Sequence, residues 1–251
     1  MNGICTMLSQ EQRDSLKSKH ILIVGLGGVG SYTAEILARC GIGHLTIVDA
    51  DTISVSNINR QLPAIPSTVG QSKVGIVKQR LERINPEIEV KTVVEFLENE
   101  RIHELVSAGF DYVVDAIDSV SPKVFLIKNV MEAKIPLVSS MGAGGRFDPT
   151  KIQIADISLS HKDNLTRLVR YRLHKHGIRS GFNCVFSSEE PDRAALMFHQ
   201  ERFKKSSFGT LSYITSMFGI KCAESVIRDL IGHPVVNVEM ERPWEENNPQ
   251  K

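Results

Sequence analysis

Cysteine is scarce and scattered in this 251-residue chain: Cys5, Cys40, Cys184 and Cys222 stand far apart, and none forms a C-x-x-C pair. That spacing excludes a zinc ribbon and a disulfide scaffold, and leaves the thiols as small buried hydrophobes of a reducing compartment. A charge excess of one sign is also lacking. With 30 Lys and Arg, 29 Asp and Glu and a formal charge of +1, the chain is no globally basic nucleic-acid binder, though a local basic patch is allowed. Long apolar runs are missing too. The most apolar segment, 206–231, is broken by Gly209, Gly219, Lys221, Glu224 and Arg228, so no membrane span is expected. Residues 1–12 lack a charged start followed by an apolar core, and the chain reads as a soluble cytoplasmic protein.

What is present is a regular alternation. Apolar strand-like runs at 20–24, 44–48, 88–94, 112–116 and 136–139 are separated by helical patterns at 29–40, 74–84 and 120–133. Continuous apolar strands between amphipathic helices predict an α/β fold, a doubly wound and mostly parallel Rossmann-like sheet. After residue 142 the pattern changes. A turn, Gly142-Ala143-Gly144-Gly145, precedes an alternating, antiparallel-type strand at 151–157, a basic helix at 164–176 and a short strand at 183–187. A polar loop at 189–193, one long buried helix at 206–230 and a frayed polar tail at 241–251 complete the reading. This is a single domain with a nucleotide-binding core at about 18–142 and a C-terminal extension of antiparallel strands and helices at about 143–240.

Ligands of such sheets sit beyond the carboxyl ends of the strands, and the polar motifs fall there. Gly25-Leu26-Gly27-Gly28-Val29-Gly30 links the first strand to its helix. As G-x-G-x-x-G it fits a dinucleotide turn, and as G-x-G-G-x-G the loop of an ATP-using adenylating enzyme. In both, glycines let the backbone approach a phosphate at a helix start. Asp49-Ala50-Asp51 ends the second strand, where an acid commonly holds a ribose hydroxyl. Asn57-Ile58-Asn59-Arg60-Gln61 and Gly70-Gln71-Ser72-Lys73 follow. An Arg and a Lys from different segments make a cationic clamp suited to a triphosphate, which a nicotinamide cofactor does not need. Asp115-Ala116-Ile117-Asp118, at the end of the fourth strand, offers carboxylates for Mg²⁺.

Taken together, G-x-G-G-x-G, D-x-D, N-x-x-R-Q, the helix-opening Lys and D-x-x-D resemble the ThiF/MoeB/HesA relatives of the ubiquitin-activating enzymes over about residues 18–142. The resemblance implies adenylation of a substrate carboxylate by ATP with Mg²⁺. It makes Gly25, Gly27, Gly28, Gly30, Asp49, Asp51, Asn57, Arg60, Gln61, Lys73 and Asp118 the nucleotide set. Asp118, Arg60 and Lys73 would carry catalysis, with Asp118 holding the metal.

The second half narrows the substrate. Asp115-Ala116-Ile117-Asp118-Ser119, the Gly142–Gly145 turn, Asp148-Pro149-Thr150-Lys151-Ile152-Gln153 and Asn183-Cys184-Val185-Phe186-Ser187 are similar to the dehydratase branch of that family. That branch acts on threonylcarbamoyladenosine in tRNA. The resemblance implies a tRNA substrate and a homodimer. The alternatives are an activator of a ubiquitin-like or sulfur-carrier protein, with carrier or cysteine-desulfurase-type partners, or a non-catalytic relative. Arg167, Arg170, Arg172, Lys175 and Arg179, interleaved with Tyr171 and His174, are the candidate RNA surface, against the plainer reading of a solvated helix face. The glycine turn at 142–145 reads either as a sharp bend or as a backbone contact to ligand. The chain departs from the family at two places. Lys204-Lys205-Ser206-Ser207 stands where the branch often has a cysteine. Gly3-Ile4-Cys5-Thr6 stands where the family supplies an arginine, leaving Arg13 as the nearest substitute.

Overall fold

The computed structural model describes residues 7–97, 99–198 and 206–235. The expectations at Gly3-Ile4-Cys5-Thr6, at Lys204-Lys205 and over the tail 241–251 lie outside these residues.

Helix α1 (Gln10–Ser18) starts at a capping box between Ser9 and Gln12. It leads into β1 (His20–Val24), α2 (Gly30–Arg39), β2 (His44–Val48), α3 (Lys73–Ile84) and β3 (Glu89–Val93). Next come α4 (Asn99–Ser107), β4 (Tyr112–Asp115), α5 (Val120–Glu132) and β5 (Leu137–Ser140). The extension contributes β6 (Ile152–Asp156), α6 (Asn164–Lys175), β7 (Asn183–Ser187), β8 (Leu196–Phe198), β9 (Ser206–Phe208) and α7 (Ser212–Leu230).

Seven strands form one sheet in the order β3-β2-β1-β4-β5-β7-β6. Every neighbouring pair is parallel except β6 and β7. Helices cover both faces, which is why β4 and β5 are buried at every position rather than at alternate ones. Leu16, Leu37, Val77 and Phe218 bring α1, α2, α3 and α7 onto one face, and Ile102, Ile127 and Val169 bring α4, α5 and α6 onto the other. The chain order reverses between β1 and β4, and the crevice beyond their carboxyl ends is the ligand position of an open α/β sheet. The doubly wound, mostly parallel fold read from the sequence is the fold observed.

One helix boundary needs correction. The helix expected over 206–230 begins at Ser212; the residues before it form β9, paired antiparallel with β8. Gly209 breaks the run because its backbone groups are committed elsewhere. Its N–H donates to Ala195 O and its carbonyl accepts the Gly145 N–H, both at 2.8 Å.

Candidate functional site

The glycine loop leaves β1 at Gly25, whose φ of +91° is left-handed. A Cβ there would lie 2.7 Å from Ala116 O, and one on Gly30 would lie 1.8 Å from Gly25 O. Only hydrogen fits at either position, so the loop can fold back on itself and press against the segment after β4. A Cβ on Gly28 would meet Thr215 Oγ1 of α7 at 3.0 Å. That helix sits close because Gly219 packs on Val29 O and accepts a 3.1 Å hydrogen bond from Thr33 Oγ1. Gly27 is the open position, where a Cβ would lie 3.7 Å from Gln61 Nε2.

Asp49 stands one residue past β2. Its Oδ2 accepts the Leu26 N–H at 2.7 Å, and its Oδ1 accepts the Asp51 N–H at 2.9 Å. Burial holds this carboxyl above its usual range, opposed by the Lys73 charge and the two amides. Lys73, 4% exposed at the start of α3, lies 2.7 Å from Asp51 Oδ2 and 3.8 Å from Asp49 Oδ1. Asn57 builds a turn: its Oδ1 accepts the Ser54 N–H, and its carbonyl accepts the amides of Arg60 and Gln61. Arg60 Nη1 donates to Ser56 O and Asn59 Oδ1, each at 2.9 Å. Burial lowers the Arg60 pKa while the Asp118 charge raises it, which puts the two side chains within electrostatic reach. Gln61 is 7% exposed, and among the described residues its Oε1 has no hydrogen-bond partner; neither has Ser72 Oγ, at the N-cap of α3. Buried polar atoms left unanswered by the protein mark places where a ligand group belongs.

The two acids of D-A-I-D have different surroundings. Asp115 is fully buried, paired with Lys123 at 2.6 Å, and accepts Ser139 Oγ at 2.6 Å and the Ile117 N–H at 3.1 Å. Asp118 is exposed beyond the strand end. The crevice therefore gathers Gly25, Gly27, Gly28, Gly30, Asp49, Asp51, Asn57, Arg60, Gln61, Lys73 and Asp118. Among the described residues no group of three or more His, Cys, Asp or Glu is arranged to hold a metal ion. The exposed Asp118 carboxylate is an oxygen donor of the type Mg²⁺ takes from protein.

On α6, Arg167, Arg172, Lys175 and, just after it, Arg179 are exposed. Lys175 Nζ lies 4.5 Å from the centre of the Tyr171 ring, and Arg172 donates to Ser121 Oγ at 2.6 Å. Arg170 does not join this surface, because its guanidinium turns inward and donates to Ser160 O at 2.8 Å. The Gly142–Gly145 turn is a structural bend. Its Gly142 and Gly145 amides are taken by Asp163 Oδ2 and Gly209 O. Arg13 donates to Leu8 O and to Gln10 Oε1 within its own helix start, so it does not stand in the crevice. Cys184 and Cys222 are fully buried with thiols pushed up by that burial, to about 12 for Cys222, which fits small apolar residues rather than nucleophiles.

Sequence reasoning missed Arg146. It is 2% exposed and donates to Gly142 O, Glu189 O, Lys162 O and Asp163 Oδ1. It thereby ties the end of β5 to the Asp163 cap of α6. The only signal was an arginine directly after a glycine-rich turn.

The model of the ThiF family matches residues 3–247. The tRNA threonylcarbamoyladenosine dehydratase of Bacillus subtilis (strain 168) is 39% identical over 232 residues, covering 89% of this chain and 91% of that protein. The molybdopterin-synthase adenylyltransferase of Salmonella typhimurium is 41% identical, but over 55% of this chain and 54% of its own. Among solved structures, E. coli tRNA N6-threonylcarbamoyladenosine dehydratase in complex with ATP superposes with a TM-score of 0.82 at 36% identity. It covers 89% of this chain and 90% of that one. On sequence, fold and site together, the chain belongs to the ThiF family.

Proposed function

We propose that this chain is an ATP-dependent dehydratase that adenylates the threonyl carboxylate of threonylcarbamoyladenosine in tRNA and lets it cyclise to a hydantoin-like ring. The observation that carries the reading is the crevice between β1 and β4. There an acid, a buried lysine, an arginine and an exposed aspartate surround a glycine loop, in a chain whose whole-length relatives bear this activity's name. The adenylyltransferase relative shares only about half the chain, which favours the dehydratase over an activator of a carrier protein.

The chemistry follows from the charges. A carboxylate oxygen attacks the α-phosphorus and pyrophosphate leaves. A carbamoyl nitrogen then attacks the acyl carbon, AMP leaves with the carboxylate oxygen, and the nitrogen loses its proton. Gly27, the unobstructed glycine, lets the phosphates approach backbone amides. Asp49, already oriented by two amides, offers its remaining lone pairs to the ribose. Lys73 and Arg60 oppose the charge that develops on the phosphates, and Gln61 Oε1 gains a partner when the crevice fills. Asp118 would hold Mg²⁺, and the ion would supply positive charge against the triphosphate there.

Under this reading Arg167, Arg172, Lys175 and Arg179 meet the tRNA backbone, and the enzyme works in the cytoplasm. No helix among the described residues is long and apolar enough to cross a membrane. A homodimer is part of the proposal, supported by the exposed apolar side chains of Val55, Ile58, Ile65 and Val69 on one segment. Sulfur-carrier or cysteine-desulfurase-type partners belong to the alternative reading. The test is to incubate the protein with ATP, Mg²⁺ and tRNA bearing the threonylcarbamoyl group. Mass spectrometry should show loss of one water from the nucleoside. Pyrophosphate exchange driven by a carrier protein without dehydration would establish the alternative, and no turnover with either would make the chain a non-catalytic relative.

A further inference from the structure

Phe147 and Tyr213 are aromatic side chains left on the surface, 55% and 48% exposed. Both are held on rigid supports. Tyr213 Oη donates to Phe147 O at 2.9 Å, which fixes the tyrosine ring by its far end. The Phe147 backbone is pinned in turn, since its N–H and that of Asp148 donate to the Glu189 carboxylate at 2.9 to 3.1 Å. A half-exposed ring on an immobilised backbone offers a partner a flat apolar face at little entropic loss.

Their position gives the partner's chemistry. Tyr213 stands two residues before Thr215, the residue that walls Gly28 of the phosphate loop. Phe147 follows Arg146, whose guanidinium binds the Asp163 cap of α6, and the exposed Arg167 and Tyr171 lie just along that helix. Tyr213 thus sits on the first turn of the helix that walls the glycine loop, and Phe147 beside the turn that is tied to the cap of α6. The charged group that touches this platform is acidic, the Glu189 carboxylate on the Phe147 and Asp148 amides, with the Lys151 charge acting on Asp148 beyond it. That suits a nucleobase and repels a phosphate, while α6 does the reverse.

We infer that Phe147 and Tyr213 form a stacking platform for unpaired bases of the substrate RNA, next to the nucleotide whose carboxylate is activated. This rests on the dehydratase reading and adds to it the residues that orient the base. Stacking tolerates any base and carries no charge, so its loss weakens binding without altering salt dependence.

The experiment measures affinity of the full chain for an anticodon stem-loop RNA carrying the threonylcarbamoyl group, across a salt series, with ATP affinity measured in parallel. Phe147→Ala and Tyr213→Ala are each expected to weaken RNA binding about 5- to 150-fold, with an unchanged salt slope and unchanged ATP affinity. Phe147→Trp should restore binding, and Tyr213→Phe should keep most of it. RNA affinity like that of the unaltered chain in both alanine variants overturns the platform alone. So does a shift from dimer to monomer in sedimentation that accounts for the loss, because the rings then serve a second copy. An unaltered chain that binds ATP but not this RNA overturns the dehydratase reading, and the platform with it.

Discussion

Lys123 Nζ lies 2.6 Å from Asp115 Oδ2, and both side chains are wholly buried beneath the carboxyl ends of β4 and β5. Lys123 also donates to Ser140 O, and Asp115 also holds Ser139 Oγ and the Ile117 N–H. A buried ion pair contributes little net stability over an apolar pair, so its use here is positional. It fixes the Ala116–Ile117 backbone against Gly25 and, one residue on, the base of Asp118.

Breaking the pair from one side leaves a bare carboxylate in the core. Lys123→Met is expected to lower stability by about 3–5 kcal/mol in urea unfolding. Adding Asp115→Asn should recover much of that loss while leaving adenylation slow, because the anchored loop is gone. A single variant that loses less than about 1 kcal/mol would show that the pair is already compensated.

Asp49 gives a pH dependence with a definite sign. Burial, its largest influence, raises the carboxyl above the unfolded value near 3.8. A raised carboxyl favours folding while protonated and penalises it once ionised. Its contribution is therefore fully present below pH 3.8 and declines as pH rises through the folded value. Relative to Asp49→Asn, which does not titrate, the unaltered chain should lose unfolding free energy over that interval. Urea melts of both chains from about pH 3.5 to about pH 7 measure the difference, and an opposite slope would mean that Lys73 and the amides dominate. Nucleotide affinity should fall in the variant at neutral pH, separating the ligand role from the effect on stability.

The β1, β2 and β7 boundaries were legible because strands buried on both faces leave unbroken apolar runs. The candidate nucleotide residues stood out because they are polar motifs placed where the apolar strands end. What could not be read depended on partners distant in sequence. Ser206–Phe208 is a strand only because Leu196–Phe198 pairs with it. Asp118 was singled out in the sequence, but the partners that make Asp115 structural, Lys123 and Ser139, were not visible there. Arg170 differs from Arg167 only through the Ser160 carbonyl within its reach. Helix α4 is short and mostly polar, so its pattern does not stand out in the sequence, although Ile102 and Val106 give it a buried face.

That division of α6 changes the expected salt response. Replacing the exposed Arg167, Arg172 and Lys175 with glutamine should weaken RNA binding and flatten the slope of log K against log salt. The flattening should be about 0.7 for each single-strand phosphate no longer neutralised. Arg170→Gln should instead loosen the fold around Ser160 and leave the slope alone. Fluorescence anisotropy from about 50 to about 300 mM salt, a working range set by counterion release, reads both. Equal slopes for the triple variant and the unaltered chain would remove α6 from the RNA surface.

The glycine loop separates ligand effects from fold effects by position. A Cβ at Gly30 meets backbone oxygen at 1.8 Å, so Gly30→Ala must push the loop off α2, and both stability and nucleotide binding should fall. Gly70 has nothing within 4 Å and a φ of +86°. Gly70→Ala should therefore lose only about 1–2 kcal/mol from left-handed strain and bind nucleotide normally. Gly27 has neither restriction, since a Cβ there would lie 3.7 Å from Gln61 Nε2. Gly27→Ala is thus expected to fold with stability within about 1 kcal/mol of the unaltered chain, while its methyl occupies the flank offered to phosphate. Its ATP affinity should fall at least tenfold, read by calorimetry alongside urea melts. Normal ATP affinity in Gly27→Ala would mean that the phosphates approach the loop from the Gly28 side, against Thr215, and not across its open flank.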